Sequence, residues 1–206
     1  MGLLRTQKNQ ERKDQTRKAL MGAAVSTFSK KGYHNTLISD IVTEARVGQG
    51  TFYRHFTDKR EIFLNLKAEF VSNLISQFSE MSTHLPQNFA QYRQASIGAV
   101  TRLAHQLNAN KKFVLCLIKE APTIDKELEG DVTGIFERFA ELAKMYLDHA
   151  IRQGFARPCH SGIVSHAIVG MGVQILMQWL EGRFNDVSVD RLVEELVDFG
   201  FLGVKK

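Results

Sequence analysis

Proline is nearly absent from this chain, with three residues in 206, at positions 86, 122 and 158. Each proline removes a backbone donor and breaks a helix interior, so this scarcity favours long helices over a turn-rich β architecture. The apolar pattern agrees. Leu20, Ala24 and Phe28 recur every four residues, and Ile62, Phe63, Leu66, Phe70, Leu74 and Phe78 make a second stripe at helical spacing. No window alternates apolar and polar residues long enough to suggest a strand, and no internal repeat or low-complexity tract is visible. The expected fold class is all-α, with about nine helices.

The first helix starts near Glu11, after a mobile basic arm over residues 1–10, and Gly32 ends it in a left-handed turn. A short helix fits Leu37 to Ala45 with Thr36 as its cap, and another fits Gln49 to His55. Asp58 and Glu61 then read as a capping box that opens a long helix. Further helices are expected at Phe89–Leu107, Lys111–Glu120, Lys126–Gln153, Ile163–Arg183 and Val189 to about Leu202. Pro122, Gly154 to Pro158 and Asn185-Asp186 mark breaks. This order predicts a three-helix domain over 1–57 and a helical domain over 58–206.

Charge divides the chain in the same place. Residues 1–60 hold 12 Lys/Arg and 5 Asp/Glu, a net +7, whereas residues 61–206 sum to −2. A basic head on a slightly acidic body suggests a polyanion-binding module joined to a body with another task. The two cysteines, Cys116 and Cys159, are too few for a disulfide framework and fit ordinary thiols of a cytoplasmic protein. No apolar leader is seen, and the most hydrophobic stretch, Ile163 to Leu180, is interrupted by Ser165, His166, Gln174 and Gln178. That pattern suits a buried or interfacial helix better than a membrane span, so no membrane partner is expected.

Two very short helices joined by a tight turn after a longer one make a helix-turn-helix. Such a unit must present its last helix at the surface while anchoring the inner side in a small core. Val47, Phe52 and Phe56 can supply the anchor, with Phe28 and Ile41. Gln49, Gly50, Thr51, Tyr53, Arg54 and His55 are then left outward, a set whose small members allow close approach and whose polar members bond to bases or phosphates.

Residues 16–63 resemble the DNA-binding domain of the TetR family of bacterial transcriptional regulators. The likeness rests on Ala23, Ala24, Phe28, Gly32, Tyr33, Thr36, Asp40, Ile41, Ala45, Val47, Gly50, Thr51, Tyr53, His55, Phe56 and Lys59, all at the family's spacing. The resemblance implies that Thr51 and Gln49 reach base edges, that Tyr53, His55 and Lys59 hold phosphates together with the start of the second helix near Thr36, and that Arg54 serves either a base or a phosphate. Three positions depart from the pattern. Arg46 stands in the turn where glycine is usual, which costs on the order of 1 kcal/mol if φ is positive there and adds a cation beside the groove. Gly48 replaces the usual serine cap, and Leu37 replaces a second threonine.

A short recognition helix gains specificity by acting in pairs. Two heads on a symmetric dimer read half-sites about 34 Å apart, so the expected partner is a double-stranded, near-palindromic operator. The dimer face is expected on the last two helices, through Ile168, Met171, Ile175, Trp179, Leu192, Leu196 and Phe199, with glycines at 162, 170 and 172 allowing close approach. The family likeness implies the same two helices; the competing reading makes this surface the core of a monomer. It also implies a cavity for a small effector. Candidate lining residues are Phe78, Tyr92, Phe113, Cys116, Phe136, Phe139, His149, Met171 and Gln174, with Glu120 among other interleaved polar groups, although an aromatic stripe is also ordinary core. The abundance of Phe, Leu and Met favours a hydrophobic effector.

No cofactor or metal is expected, since Cys159-His160 with His166 lacks a ligand spacing and no hydrolase, nucleotide-loop or dinucleotide signature occurs. An enzyme and a protein-binding module that reuses the helix-turn-helix are the rival classes. The reading that joins these features is a dimeric, ligand-responsive regulator, a repressor by family habit.

Overall fold

The computed structural model describes residues 2–79, 85–124 and 126–204, with side chains for 6–76, 85–124 and 134–203. Among these residues there are nine helices and no strand: α1 (Gly2–Lys31), α2 (Ile38–Glu44), α3 (Gln49–Tyr53), α4 (Lys59–Ser79), α5 (Phe89–Ala109), α6 (Lys111–Ile124), α7 (Lys126–Arg152), α8 (Ser161–Leu180) and α9 (Val189–Val204). They form two compact units. The first comprises Met1–Ser72 with Cys116–Glu120, and the second Asn73–Leu115 with Ala121–Lys206. The packed head therefore takes in most of α4 and a piece of α6, beyond the motif boundary expected at 57.

In the first unit Leu20, Ala24 and Phe28 of α1 are buried, as are Ile41, Phe52, Phe56, Ile62 and Phe63. Phe63 meets Phe28 edge-on at 5.4 Å and Tyr33 at 4.9 Å, which gives a small core more than its area alone. Lys31 to Asp40 (2.7 Å), and Ser26 and Lys30 to Glu44, tie α1 to α2. Residues 2–10 are helical rather than an arm, because the stretch lacks proline and is rich in Leu, Arg, Gln and Lys, which lose little freedom in a helix.

Three helix ends share one construction. In α2, α7 and α8 the chain turns through a left-handed residue, and two amides fold back on the last carbonyls. Gly154 and Gly182 fill that position after α7 and α8, with φ of 77° and 93°. After α2 it is Arg46, at φ 55°, with Arg46 N donating to Thr43 O and Val47 N to Val42 O. The positive φ on which the cost of Arg46 depends is present, in the one instance of the three that carries a side chain.

The second unit has two apolar clusters. One holds Tyr92, Tyr146, Leu147, Ala150 and Ala156 with Phe155 and Phe201 beside them. The other joins Ala104, Leu176, Val189, Leu192, Val193 and Val197. A two-point ion pair, Arg93 to Asp198 at 2.6 and 2.8 Å, fixes α5 on α9. Pro122 lies inside α6, not at its end: the helix gives up one backbone hydrogen bond there and continues to Ile124.

Candidate nucleic-acid interface

The turn from α2 to α3 is set by Arg46, and α3 is preceded by Gly48, whose extended backbone (φ −76°, ψ 153°) serves as a cap without a side chain. Five residues make a helix too short to stand alone, so Phe52 and Phe56, both buried, fasten it to the core. The opposite side is open. Gln49, Gly50 and Arg54 are exposed, Tyr53 is 53% exposed, and Thr51 and His55 are half-buried. Arg54 Nη2 donates to Thr51 Oγ1 at 2.9 Å, which orders the guanidinium over the start of the helix before any partner arrives. His55 is less basic than a free imidazole, first through burial and then through the cations Lys13, Arg17 and Arg54, with Asp14 working against them. Arg46 is exposed at the same end as Gly48 and Gln49.

Two expected contacts lie elsewhere. Thr36 is fully buried and its hydroxyl donates to Gly32 O at 2.6 Å, so it neither caps α2 nor reaches a phosphate. Leu37 holds the cap position instead, with its amide bonded to the Asp40 carboxylate at 3.0 Å. Lys59 turns its ammonium inward, donating to the carbonyls of Tyr33 (2.7 Å), Thr36 (2.8 Å) and His34 (3.4 Å) and lying 4.4 Å from the Tyr33 ring. Burial lowers its pKa, and Glu120 partly restores it. With three protons given to three carbonyls, Lys59 has no donor left for a phosphate. Glu61 departs from the capping box in a smaller way. Asp58 caps its amide at 2.7 Å, but the Glu61 carboxylate reaches Thr57, not Asp58.

The same turn is held from its other side by a residue that the sequence placed among ligand-orienting candidates. Glu120 accepts from the amides of Tyr33 (2.7 Å) and His34 (3.2 Å). Gly32 makes room for it, since a Cβ there would meet the carboxylate at 2.5 Å. Residues 33–36 thus have their carbonyls gripped by a cation from α4 and their amides by an anion from α6. Cys116, one turn earlier, packs in this first unit as well, with its thiol pushed up to about 12 mainly by burial. The other described effector candidates lie in the second unit.

In the second unit the expected effector and dimer residues separate by exposure. Tyr92 is buried, stacked near-parallel on Tyr146 at 6.2 Å, and burial raises its phenol to about 12. Phe113 is buried; Phe136, Phe139 and Met171 are half-buried. His149 is bonded to Pro86 O at 2.7 Å. Gln174 is exposed, on the outer side of α8, and so is not enclosed by its own chain. The Phe78 side chain lies outside the described residues. Of the dimer candidates, Leu192 is core of its own unit because α9 turns that side onto α5 and α8. Ile168, Met171, Ile175, Trp179 and Leu196 are half-buried, and Trp179 Nε1 donates to Val187 O. Phe199 is 69% exposed, as are Ile163 and Leu202 to similar degree. Helix α8 is long and apolar enough to cross a membrane by length and composition, and only 17% of that stretch is buried within the chain.

A buried-side anchor, a short outward helix carrying Gln, Thr, Tyr and Arg, and a rigid turn behind it define a helix-turn-helix DNA-binding protein. Residues 20–66 match the profile described as bacterial regulatory proteins, tetR family. The chain is 38% identical over 155 residues to the HTH-type transcriptional regulator YdgC of Bacillus subtilis, covering 74% of this chain and 78% of that one. It is 25% identical over 181 residues to the HTH-type transcriptional repressor BepR of Brucella suis, covering 82% of each. Its fold is similar to FadR of Bacillus subtilis in complex with stearoyl-CoA, with TM-score 0.73 at 16% identity over 90% of this chain and 97% of the other. The chain belongs to the TetR family of transcriptional regulators, whose members here are regulators and not enzymes.

Proposed function

We propose that the protein is a homodimeric, effector-responsive repressor acting in the cytoplasm on a near-palindromic operator. The observation that carries this reading is the pairing of two unsatisfied surfaces of opposite character. On α3, polar and small residues are open; on α8, Ile163, Ala167 and Gly170 are open along one side together with His166 and Gln174. A mixed, glycine-bearing face with few charges suits a second copy of itself. Two copies bring two copies of α3 to one duplex.

In this reading Gln49, Thr51 and Arg54 meet base edges, while Tyr53, His55 and Arg46 meet phosphates and Gly50 lets the backbone approach. The repressor sense follows BepR, described as a repressor. The effector is hydrophobic or amphipathic and is met by aromatic residues of the second unit, Tyr92, Phe113, Phe136 and Phe139 with Met171 and His149. Stearoyl-CoA bound to FadR makes a long-chain acyl thioester the first probe. Helix α6 contributes residues to both units, so a shift of α6 on effector binding would pull Glu120 from the turn that positions α2 and α3.

The test is a reciprocal titration. Effector should weaken operator binding, and operator should weaken effector binding by the same factor. A compound at a hundred times its dissociation constant should also stabilise the protein by about 2.7 kcal/mol in thermal unfolding. Equal effector affinity with and without operator would overturn the mechanism.

A further inference from the structure

One titratable side chain stands in the middle of the open side of α8. Ile163, His166, Ala167, Gly170 and Gln174 are exposed at i, i+3, i+4, i+7 and i+11, so they share one side of the helix. The His166 ring is fixed there at both nitrogens. Nδ1 lies 2.8 Å from Gly162 O on its own helix, and Nε2 lies 3.0 Å from Glu137 Oε2 on α7. A carbonyl and a carboxylate only accept, so both ring nitrogens must donate, and a neutral imidazole has one proton for the two. The arrangement is therefore built for the imidazolium. The ring is more basic than an ordinary histidine, first through Glu137 and then through the Gly162 carbonyl, with desolvation working against both.

The charges on the neighbouring helices are arranged differently. On α7, Lys144 is paired with Asp148 at 2.8 Å, and Arg138 and Glu141 are exposed. Helices α5 and α9 share an apolar cluster with α8. There Arg93 holds Asp198, His105 faces Asp190 at 3.5 Å, and Arg191 pairs with Glu194 and Glu195. Among the described residues, Glu137 is the charged group that acts on the His166 ring. His160 stands close by at the start of α8, but its Nδ1 accepts from Ile163 N at 3.3 Å. A proton on that nitrogen would cost the helix its cap, so His160 opposes any effect that acid favours.

The pair sets the charge of this open side. With His166 protonated, ring and carboxylate cancel, and the face can meet its own two-fold image without repulsion. With His166 neutral, each copy brings an uncompensated carboxylate and a ring lone pair aimed at it. A second copy laid over them removes the water that would solvate both, a cost borne only by the joined state. We propose that the Glu137–His166 pair makes the joining of two copies along α8 a proton-linked step, favoured when the ring is charged and opposed when it is not. This rests on the reading of α8 as the face between copies and adds its regulation: fewer paired heads reach an operator as the solution turns alkaline.

The test is fluorescence-detected sedimentation of the full-length protein without DNA, which keeps His55 from contributing. The dimer dissociation constant is measured from about pH 6 to about pH 9. Glu137 raises the His166 pKa in the free subunit, and burial of the pair raises it further in the dimer, so joining takes up one proton per copy. The wild-type constant should be flat at the acid end. It should weaken by up to about a hundredfold per pH unit above the free subunit's His166 pKa, then level off above that of the dimer. In Glu137→Gln the amide can donate to a neutral Nε2, so the dimer should persist and the slope disappear. His166→Lys keeps a cation beside Glu137 throughout this range and should also be flat. A wild-type constant that ignores pH or tightens in alkali, or a Glu137→Gln variant with the wild-type slope, overturns the proposal while leaving the dimer intact. Monomers at every pH overturn the reading of α8 as an interface.

Discussion

Helices α3 and α8 both leave much of their surface to solvent, and they differ in how much of it is apolar. The five residues of α3 bury an aromatic and present Gln, Gly, Thr and Tyr. The twenty of α8 bury Ser165, Leu176 and Leu180 and leave Ile163, Ala167 and Gly170 outside, with His166 and Gln174 among them. A polar open face has a ready substitute for its partner in water, so it can wait unoccupied at little cost. An apolar open face has none, and each exposed square ångström forfeits about 25 cal/mol until something covers it. The first face is therefore suited to a reversible partner and the second to a constitutive one.

The largest effect expected from this contrast comes from α8. Placing charge on its open side with Ala167→Glu and Gly170→Glu, where a Cβ at Gly170 meets nothing, should leave the subunit folded. Sedimentation equilibrium should then report monomers, and operator affinity should fall by about a thousandfold as the second head loses its tether. A folded, still dimeric variant would break the comparison from the α8 side. On α3, Arg54→Ala should lower affinity by roughly 1–3 kcal/mol if the guanidinium reads guanine, with preference relaxed at one base pair of the half-site. A uniform loss across sequences with a shallower salt slope would instead assign Arg54 to a phosphate.

Behind α3, Lys59→Met should reduce unfolding stability by about 2 kcal/mol in urea, because three carbonyls lose a charged donor. Its salt slope on DNA should match the wild type. Glu120→Gln keeps the shape but removes the negative charge from two amides. Operator affinity should drop by a few fold, with chemical denaturation changed by about 1 kcal/mol. The smallest effect is at His55. Burial and neighbouring cations hold its pKa below 6.5 in the free protein, so it is neutral near pH 7, and nearby phosphates favour the charged ring. Binding then takes up a proton: affinity should rise as pH falls below neutrality and level off under the free protein's pKa. His55→Gln should flatten that profile in anisotropy titrations.

What could be read from the residues differs between these regions for physical reasons. The all-α class, the left-handed Gly32 and Arg46, and the open side of α3 are local properties, set by period, turn chemistry and a short run of polar residues. The roles of Lys59 and Glu120 are not local. Their partners lie 26 and 87 residues away in the chain, and periodicity carries no information about which backbone a long side chain will find. Thr36 shows the same limit, because a threonine ahead of a helix looks like a cap until its burial is known. Leu192 marks another limit. A helical pattern says that one side of α9 is apolar, and only the packing shows that α5 and α8 already cover that position. The start of α1 was obscured because a charged helix without an apolar stripe has the composition of an arm.

The double grip on residues 33–36 also sets a clock. Amides in a connection between helices ordinarily exchange with solvent quickly, since nothing but water competes for them. Tyr33 can exchange only when the Glu120 carboxylate lets go, and Glu120 sits on α6. The exchange rate of one backbone proton thus counts how often that carboxylate releases the turn, with or without DNA, and no introduced probe is needed to follow it.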